Sequence, residues 1–341
     1  MSKIRLGALG CSVIFRSHYN GICANSDKVE LVALCDINPT KLEQTAKAYH
    51  VDKTYVNYLN MLADPDIDAI VNTTPTVTHA ETTIACLKAG KHVLCEKPIA
   101  MTLQEADAMI KAEQETGLVL QLALQSRHSQ AWRKIKELLE AGEIGIPHTI
   151  TVTQYWNDPW VYNNWRTIKS ISGGGIIADS SVHWIDMMRY LMGEVDSVSA
   201  TATASPDAPD KTIDDSSLTL FNFKSGAIGC LRNGWRNHRQ PGSNENVEIN
   251  GTQGTIRADL RNPWTMSGIP IVSLIKCDGP TETNFHFPLP NSRFASQIES
   301  FVKSIKAGKT LECTAQEGRR AQEIQETIYK SIKSRKWEKL A

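Results

Sequence analysis

Up to about Leu124, short apolar runs alternate with stretches of helical spacing. The runs Ile4–Leu9, Glu30–Leu34, Ala69–Val71, His92–Cys95 and Val119–Leu124 predict strands, and Val77–Ala89 and Leu103–Thr116 predict helices. Thr102, with Glu105 three residues on, predicts a capping box at the start of the second helix. Strand and helix in repeated succession predict a parallel sheet wrapped by helices. From about Gln125 the rhythm changes. A helix over Trp132–Ala141 stops at Gly142-Glu143-Ile144-Gly145. Period-two stretches then follow at Thr149–Trp156, Val198–Ala204, Leu218–Phe223, Ala227–Trp235, Asn246–Asn250, Thr255–Asp259 and Ile271–Cys277. Turns such as Lys224-Ser225-Gly226 separate them, which predicts a large, mostly antiparallel open sheet. Phe294–Ile305 and Ala315–Lys333 read as amphipathic helices that pack back on the body. The expected organisation is an α/β domain over 1–124 and an α+β domain over 125–341.

A chain of 341 residues is long enough for two cores. Its 37 basic and 37 acidic residues balance, which argues against a nucleic-acid partner or a membrane surface. There is no apolar run long enough to span a bilayer, and the first ten residues lack a signal-peptide core, so a cytoplasmic enzyme is expected. None of the eight cysteines forms a CxxC pair, and no cysteine–histidine spacing suits zinc; free thiols and no metal are expected.

The first turn reads Gly7-Ala8-Leu9-Gly10-Cys11-Ser12-Val13-Ile14-Phe15. A dinucleotide-binding turn needs glycine where backbone approaches pyrophosphate and a helix N-terminus points at it, the Rossmann arrangement. With Gly10 as the first glycine of the fingerprint, Ser12 and Phe15 replace the other two. Phe15 is expected to push the helix away from the strand or to turn outward over the cofactor. Asp36 ends the second strand at the spacing of a carboxylate that binds adenosine ribose, which favours NAD over NADP; equally, it caps the turn Asn38-Pro39-Thr40. Asn72–His79 follows another strand and reads as a strand-to-helix loop with hydroxyl caps. Glu96-Lys97-Pro98 closes an apolar strand. Gly173-Gly174-Gly175 leads into a helix carrying Asp179, His183 and Asp186, with Asp179 and His183 four apart on one face. Trp156, Trp160, Tyr162 and Trp165, beside Asn157, Asp158, Asn163, Asn164 and Arg166, suit a sugar ring, or equally pack a long loop or a subunit contact.

Glu96-Lys97-Pro98, the Thr74-Pro75…His79 segment, Trp165-Arg166 and the glycine triplet leading to Asp179 and His183 together resemble the Gfo/Idh/MocA oxidoreductases, the group of glucose-fructose oxidoreductase and inositol dehydrogenase. The resemblance covers nearly the whole chain; Ser181 stands where that family usually has glycine. It implies a Rossmann domain that binds NAD through Gly10, Cys11, Ser12, Val13, Ile14, Asp36, Thr74, Pro75, His79, Glu96, Lys97, Arg127, Trp165 and Arg166. It implies a substrate site drawn from Lys97, Tyr155, Trp156, Asn157, Trp160, Trp165, Asp179, His183 and Arg236, with His238 a further candidate. It also implies a homodimer or homotetramer formed through the open sheet face.

The expected reaction is reversible oxidation of a secondary hydroxyl on a cyclic sugar, glycoside or inositol. His183, with an ordinary pKa of about 6.5, would take the hydroxyl proton. Lys97 would stabilise the developing alkoxide and Asp179 would orient the imidazole. The same resemblance admits an NAD-recycling enzyme that cleaves glycosides through a transient keto-sugar, and a regulatory protein that senses NAD without turnover.

Overall fold

The computed structural model describes residues 2–155, 161, 164–206, 210–235, 244–260, 270–279, 282–287 and 293–340. The chain forms two compact units. The first comprises Met1–His128 and Ser292–Gln322, and the second Ser129–Asn291 and Glu323–Ala341. A single cut after residue 124 is therefore replaced by a double crossing. The reason is visible in the helix Arg293–Ala307, whose Ile298, Phe301 and Val302 are buried in one cluster with Leu6, Ala8, Phe15 and Val29.

In the first unit β1 (Ile4–Leu9), β2 (Val29–Cys35), β3 (Lys53–Tyr55), β4 (Ala69–Asn72), β5 (His92–Cys95) and β6 (Leu120–Leu122) form a sheet in the order β3-β2-β1-β4-β5-β6, every pair parallel. Chain order reverses between β1 and β4, and the crevice beyond their carboxyl ends is where open α/β sheets take ligands. Apolar side chains cover both faces. Met109, Ala112 and Leu87, from the helices Leu103–Thr116 and Thr76–Lys88, pack in a second cluster with Ile70, Val93 and Leu122. The expected capping box is present: Thr102 accepts from the Glu105 N–H while Glu105 accepts from the Thr102 N–H. The short β3 and the helices Phe15–Cys23 and Pro39–Tyr49 complete the αβ rhythm.

The second unit is built on a nine-stranded sheet. Its strands are β7 (Pro147–Tyr155), β8 (Val195–Thr203), β9 (Ser216–Phe223), β10 (Ile228–Gly234), β11 (Asn244–Gly251), β12 (Gly254–Asp259), β13 (Ile271–Lys276), β14 (Glu282–His286) and β15 (Glu338–Lys339). They run in the order β14-β13-β12-β11-β7-β10-β9-β8-β15. Among the described residues only β7 and β10 pair in parallel, so the sheet is mixed but mostly antiparallel. Strand alternation separates its faces. On β7, Ile150, Val152 and Gln154 are buried, whereas Thr149, Thr151, Thr153 and Tyr155 are more open. The buried face meets the helix Val182–Met192, whose Trp184, Met187 and Met188 are buried too.

Candidate active site

Gly10 follows β1 with φ +92°, and a Cβ there would lie 2.9 Å from the Thr73 carbonyl oxygen. Only glycine suits both demands, and the turn it makes lets backbone face the crevice. The N–H of Cys11 donates to Asp36 Oδ2 (2.8 Å), the N–H of Asn38 donates to Asp36 Oδ1 (2.9 Å), and Lys41 Nζ lies 3.3 Å from Oδ2. Asp36 therefore caps its own turn and stands beside the glycine turn. Burial, with help from Asp36, pushes the Cys11 thiol up to about 11, so Cys11 serves through its backbone rather than its sulfur. Ser12 Oγ is buried without a protein partner and Val13 is exposed, so the turn offers backbone toward a ligand. These features fit a dinucleotide.

Phe15 corrects an expectation. It neither displaces the helix nor turns outward. It is buried as the first residue of the helix Phe15–Cys23, edge-on to Tyr49 with centroids 5.9 Å apart. With Ile14 as a helix-like N-cap that makes no side-chain bond, the helix begins late and the ring has room beneath it.

The loop after β4 is organised by Asn72, which donates to the hydroxyls of Thr82 and Thr83 and accepts from that of Thr74. Pro75 sits at the N-cap of the helix Thr76–Lys88. His79, expected to touch the cofactor, is buried. Its Nδ1 lies 2.8 Å from the Pro98 carbonyl and its Nε2 2.9 Å from that of Thr74. A carbonyl can only accept, so both contacts are hydrogen bonds when both ring nitrogens carry a proton. Burial favours losing the proton; Cys95 and the two carbonyls outweigh it and hold the pKa up at about 9. His79 is thus a clamp between the Thr74 loop and the turn that carries Lys97.

Glu96 is likewise spoken for. Its Oε1 lies 2.7 Å from His18 Nε2 on the helix Phe15–Cys23, and its Oε2 accepts from the Lys97 N–H. Burial raises this carboxyl, but the bond and charge of His18, then Lys97, hold it below the usual range. Lys97 itself is half-buried, on a cis Lys97–Pro98 bond. Arg127, another expected cofactor contact, is buried and paired with Glu317, which caps Thr314 at the start of the helix Ala315–Ser334. His18 carries no motif, yet a histidine on the inward face of a helix after a glycine turn is a readable signal.

In the second unit Asn164 caps the turn Trp165–Thr167, and the Arg166 guanidinium stacks 4.7 Å from the Trp165 ring centroid. Arg166 Nε also lies 3.4 Å from Asp179 Oδ1, while the Ser180 hydroxyl donates to Oδ2. The glycine triplet has a steric cause: a Cβ on Gly175 would sit 1.8 Å from the Asp214 carbonyl oxygen. The Asp214 carboxylate accepts from the N–H groups of Gly175 and Ile177 and from the Tyr329 hydroxyl. Burial raises the Asp214 carboxyl against these bonds. Asp214 and Tyr329 escaped the sequence reading because they come from distant segments.

Asp179 and His183 do not share one continuous helix. The helix Ile176–Asp179 ends, and Val182–Met192 begins, across Ser180 and Ser181. The Ser181 N–H and hydroxyl both turn back to the Ile176 carbonyl, Trp235 Nε1 donates to Ser180 Oγ, and the Asn233 amide donates to Ser181 Oγ. Serine at position 181 is therefore a structural choice. His183 sits buried in the first turn of the second helix.

Tyr155 also departs from expectation. It follows Gln154 on β7, so it points to the opposite, open face, where Arg232 lies 4.9 Å from its ring centroid. Trp156, Asn157, Asp158, Trp160, Tyr162, Asn163, Arg236 and His238 lie outside the described residues. Among the described residues no cluster of His, Cys, Asp and Glu could hold a metal ion, and no helix is long and apolar enough to cross a membrane.

Residues 4–124 match the family described as an oxidoreductase family with an NAD-binding Rossmann fold, and 132–257 match the GFO/IDH/MocA C-terminal domain. The chain is 30% identical to the myo-inositol 2-dehydrogenase of Thermotoga maritima, over 99% of this chain and 98% of that one. The chain belongs to the GFO/IDH/MocA oxidoreductase family. The chain is also 27% identical to the 1,5-anhydro-D-fructose reductase of Ensifer adhaerens, over 92% of each chain. Among solved structures, a levoglucosan dehydrogenase in complex with NADH and L-sorbose has a TM-score of 0.90 at 25% identity, with 100% of both chains covered. Membership gives the first unit its role: it is the NAD-binding Rossmann unit.

Proposed function

We propose that this protein is an NAD-dependent dehydrogenase acting on a secondary hydroxyl of a cyclic polyol or sugar derivative. The observation that carries the reading is that the sequence has Lys97 after Glu96 and before Pro98, and Asp179 and His183 after the glycine triplet, in a GFO/IDH/MocA chain whose relatives are named for inositol, anhydrofructose and levoglucosan. When bound, NAD supplies the hydride acceptor. His183 takes the hydroxyl proton, and Lys97 donates to the same oxygen as alkoxide charge develops. Asp179, fixed by Arg166 and Ser180, supplies the negative charge that favours protonated His183. Glu96, His18 and His79 act one layer back, holding the turn that presents Lys97.

The open sheet face carries exposed Leu218, Leu220 and Ile228 on neighbouring strands, which suits a homodimer or homotetramer formed through it. Its concavity, lined by residues such as Thr151, Glu248, Arg257 and His286, holds none of the catalytic set. Eight free cysteines accord with a reducing, cytoplasmic setting.

The test is a panel of cyclic polyols assayed with NAD for NADH release, with Lys97→Met and His183→Ala beside wild type. Each variant is expected to lose activity by roughly a hundredfold or more while NAD affinity stays within a few-fold. Near-normal turnover in either would remove that residue from the mechanism.

A further inference from the structure

Asp36 follows β2 at the position expected to meet the adenosine ribose. A carboxylate has about four acceptor sites, divided between its two oxygens. Oδ1 takes the Asn38 N–H (2.9 Å), which leaves it room for one further donor. Oδ2 takes the Cys11 N–H (2.8 Å), and its remaining side faces the Lys41 ammonium at 3.3 Å. One ribose hydroxyl can therefore be received on Oδ1, while the place of a second, on Oδ2, is held by a cation. The two backbone contacts are fixed by the turn. Lys41 is the one that can be exchanged, since its side chain is 44% exposed against 9% for that of Asp36.

The turn itself has little need of Lys41. The residue stands in the first turn of the helix Pro39–Tyr49, where the macrodipole favours anions rather than cations, and no acid occupies that turn. Asn38 already caps the helix, its side chain accepting from the Lys41 N–H (3.1 Å). An ion pair this open to solvent adds little stability. What the ammonium changes is the chemistry offered at Oδ2. A hydroxyl can donate to a carboxylate, whereas a 2′-phosphate is an acceptor that a bare carboxylate repels and a basic side chain accommodates. With Lys41 in place the carboxylate is compensated, and three N–H donors on a flexible stem stand where the phosphate of NADP would come.

We propose that Lys41 is a cofactor-specificity residue: by masking Asp36 and donating to a 2′-phosphate, it lets this chain bind NADP as well as NAD. The inference rests on the adenosine ribose meeting Asp36. With NAD the ammonium yields Oδ2 to the ribose, and with NADP it stays and meets the phosphate. The preference for NAD expected from Asp36 alone is thereby narrowed.

The experiment measures dissociation constants for NAD and for NADP by calorimetry on wild type, Lys41→Met, Lys41→Arg and Asp36→Ser, each shown by thermal melting to be folded. Wild type is expected to bind NADP within roughly tenfold of NAD. Lys41→Met should weaken NADP by roughly tenfold or more while NAD stays within about threefold, and Lys41→Arg should keep both. NADP affinity unchanged in Lys41→Met would overturn the inference. So would equal weakening of NAD and NADP, which is what a lysine that merely braces Asp36 would give. Wild type that binds NAD but not NADP would overturn it and leave the NAD-binding unit as it stands. Unchanged NAD affinity in Asp36→Ser would take the ribose away from Asp36 and overturn both that placement and the inference.

Discussion

Deprotonating His79 removes one of the two bonds that tie the Thr74 loop to the Lys97–Pro98 turn. A neutral imidazole donates once, so the other carbonyl is left facing a lone pair in a site without solvent. The folded pKa of about 9 lies above the ordinary 6.5. A raised pKa gives stability that is complete below about pH 6.5 and lost as pH climbs through about 9. At its fullest the contribution is about 3 kcal/mol, an order-of-magnitude value from the span between the two pKa values. The assay is urea unfolding of wild type and His79→Gln at a series of pH values spanning that window. The gap in stability between them should be widest on the acid side and close by about 3 kcal/mol on the alkaline side. Because other titrating groups are common to both proteins, they cancel in the difference. A gap that stays constant across the window would refute the charged clamp and leave His79 an ordinary neutral core histidine.

Further outcomes follow from single contacts. Gly175→Ala places a methyl 1.8 Å from the Asp214 carbonyl oxygen, and should cost more than about 3 kcal/mol or abolish soluble expression, read by thermal melting. Asp36→Ser should weaken NAD by roughly tenfold and narrow the preference over NADP, measured as kcat/KM with each cofactor. On the proposed assembly through the open sheet face, lysine at both Leu220 and Ile228 should give a smaller species in sedimentation than wild type while the fold is kept.

Much of this was legible in the sequence wherever a local rule decides. The apolar runs located the core strands of both sheets, and the Thr102–Glu105 spacing located a helix start, because neither depends on distant partners. The turn at Gly10 was readable because a positive φ admits little but glycine. What stayed hidden came from contacts between distant segments. Phe15 was misjudged because the space it fills is bounded by Tyr49 and the helix Arg293–Ala307. The helix break before His183 could not be seen in a four-residue spacing, since its serines bond Asn233 on β10 and Trp235 just beyond it. His79 and Glu96 were assigned by motif to the cofactor, yet their partners are Thr74, Pro98 and His18. The helix Arg293–Ala307 was recognised as amphipathic, but only its partners reveal which unit its apolar face serves.

The central claim is that hydride leaves a carbinol carbon of a cyclic polyol for NAD. The most direct test is to incubate the NAD-loaded protein with a cyclic polyol deuterated at its carbinol carbons and analyse the nicotinamide by mass spectrometry. The account predicts reduced nicotinamide that carries deuterium. Recovery of NAD with no deuterium, from protein shown to bind both NAD and the polyol, would contradict it.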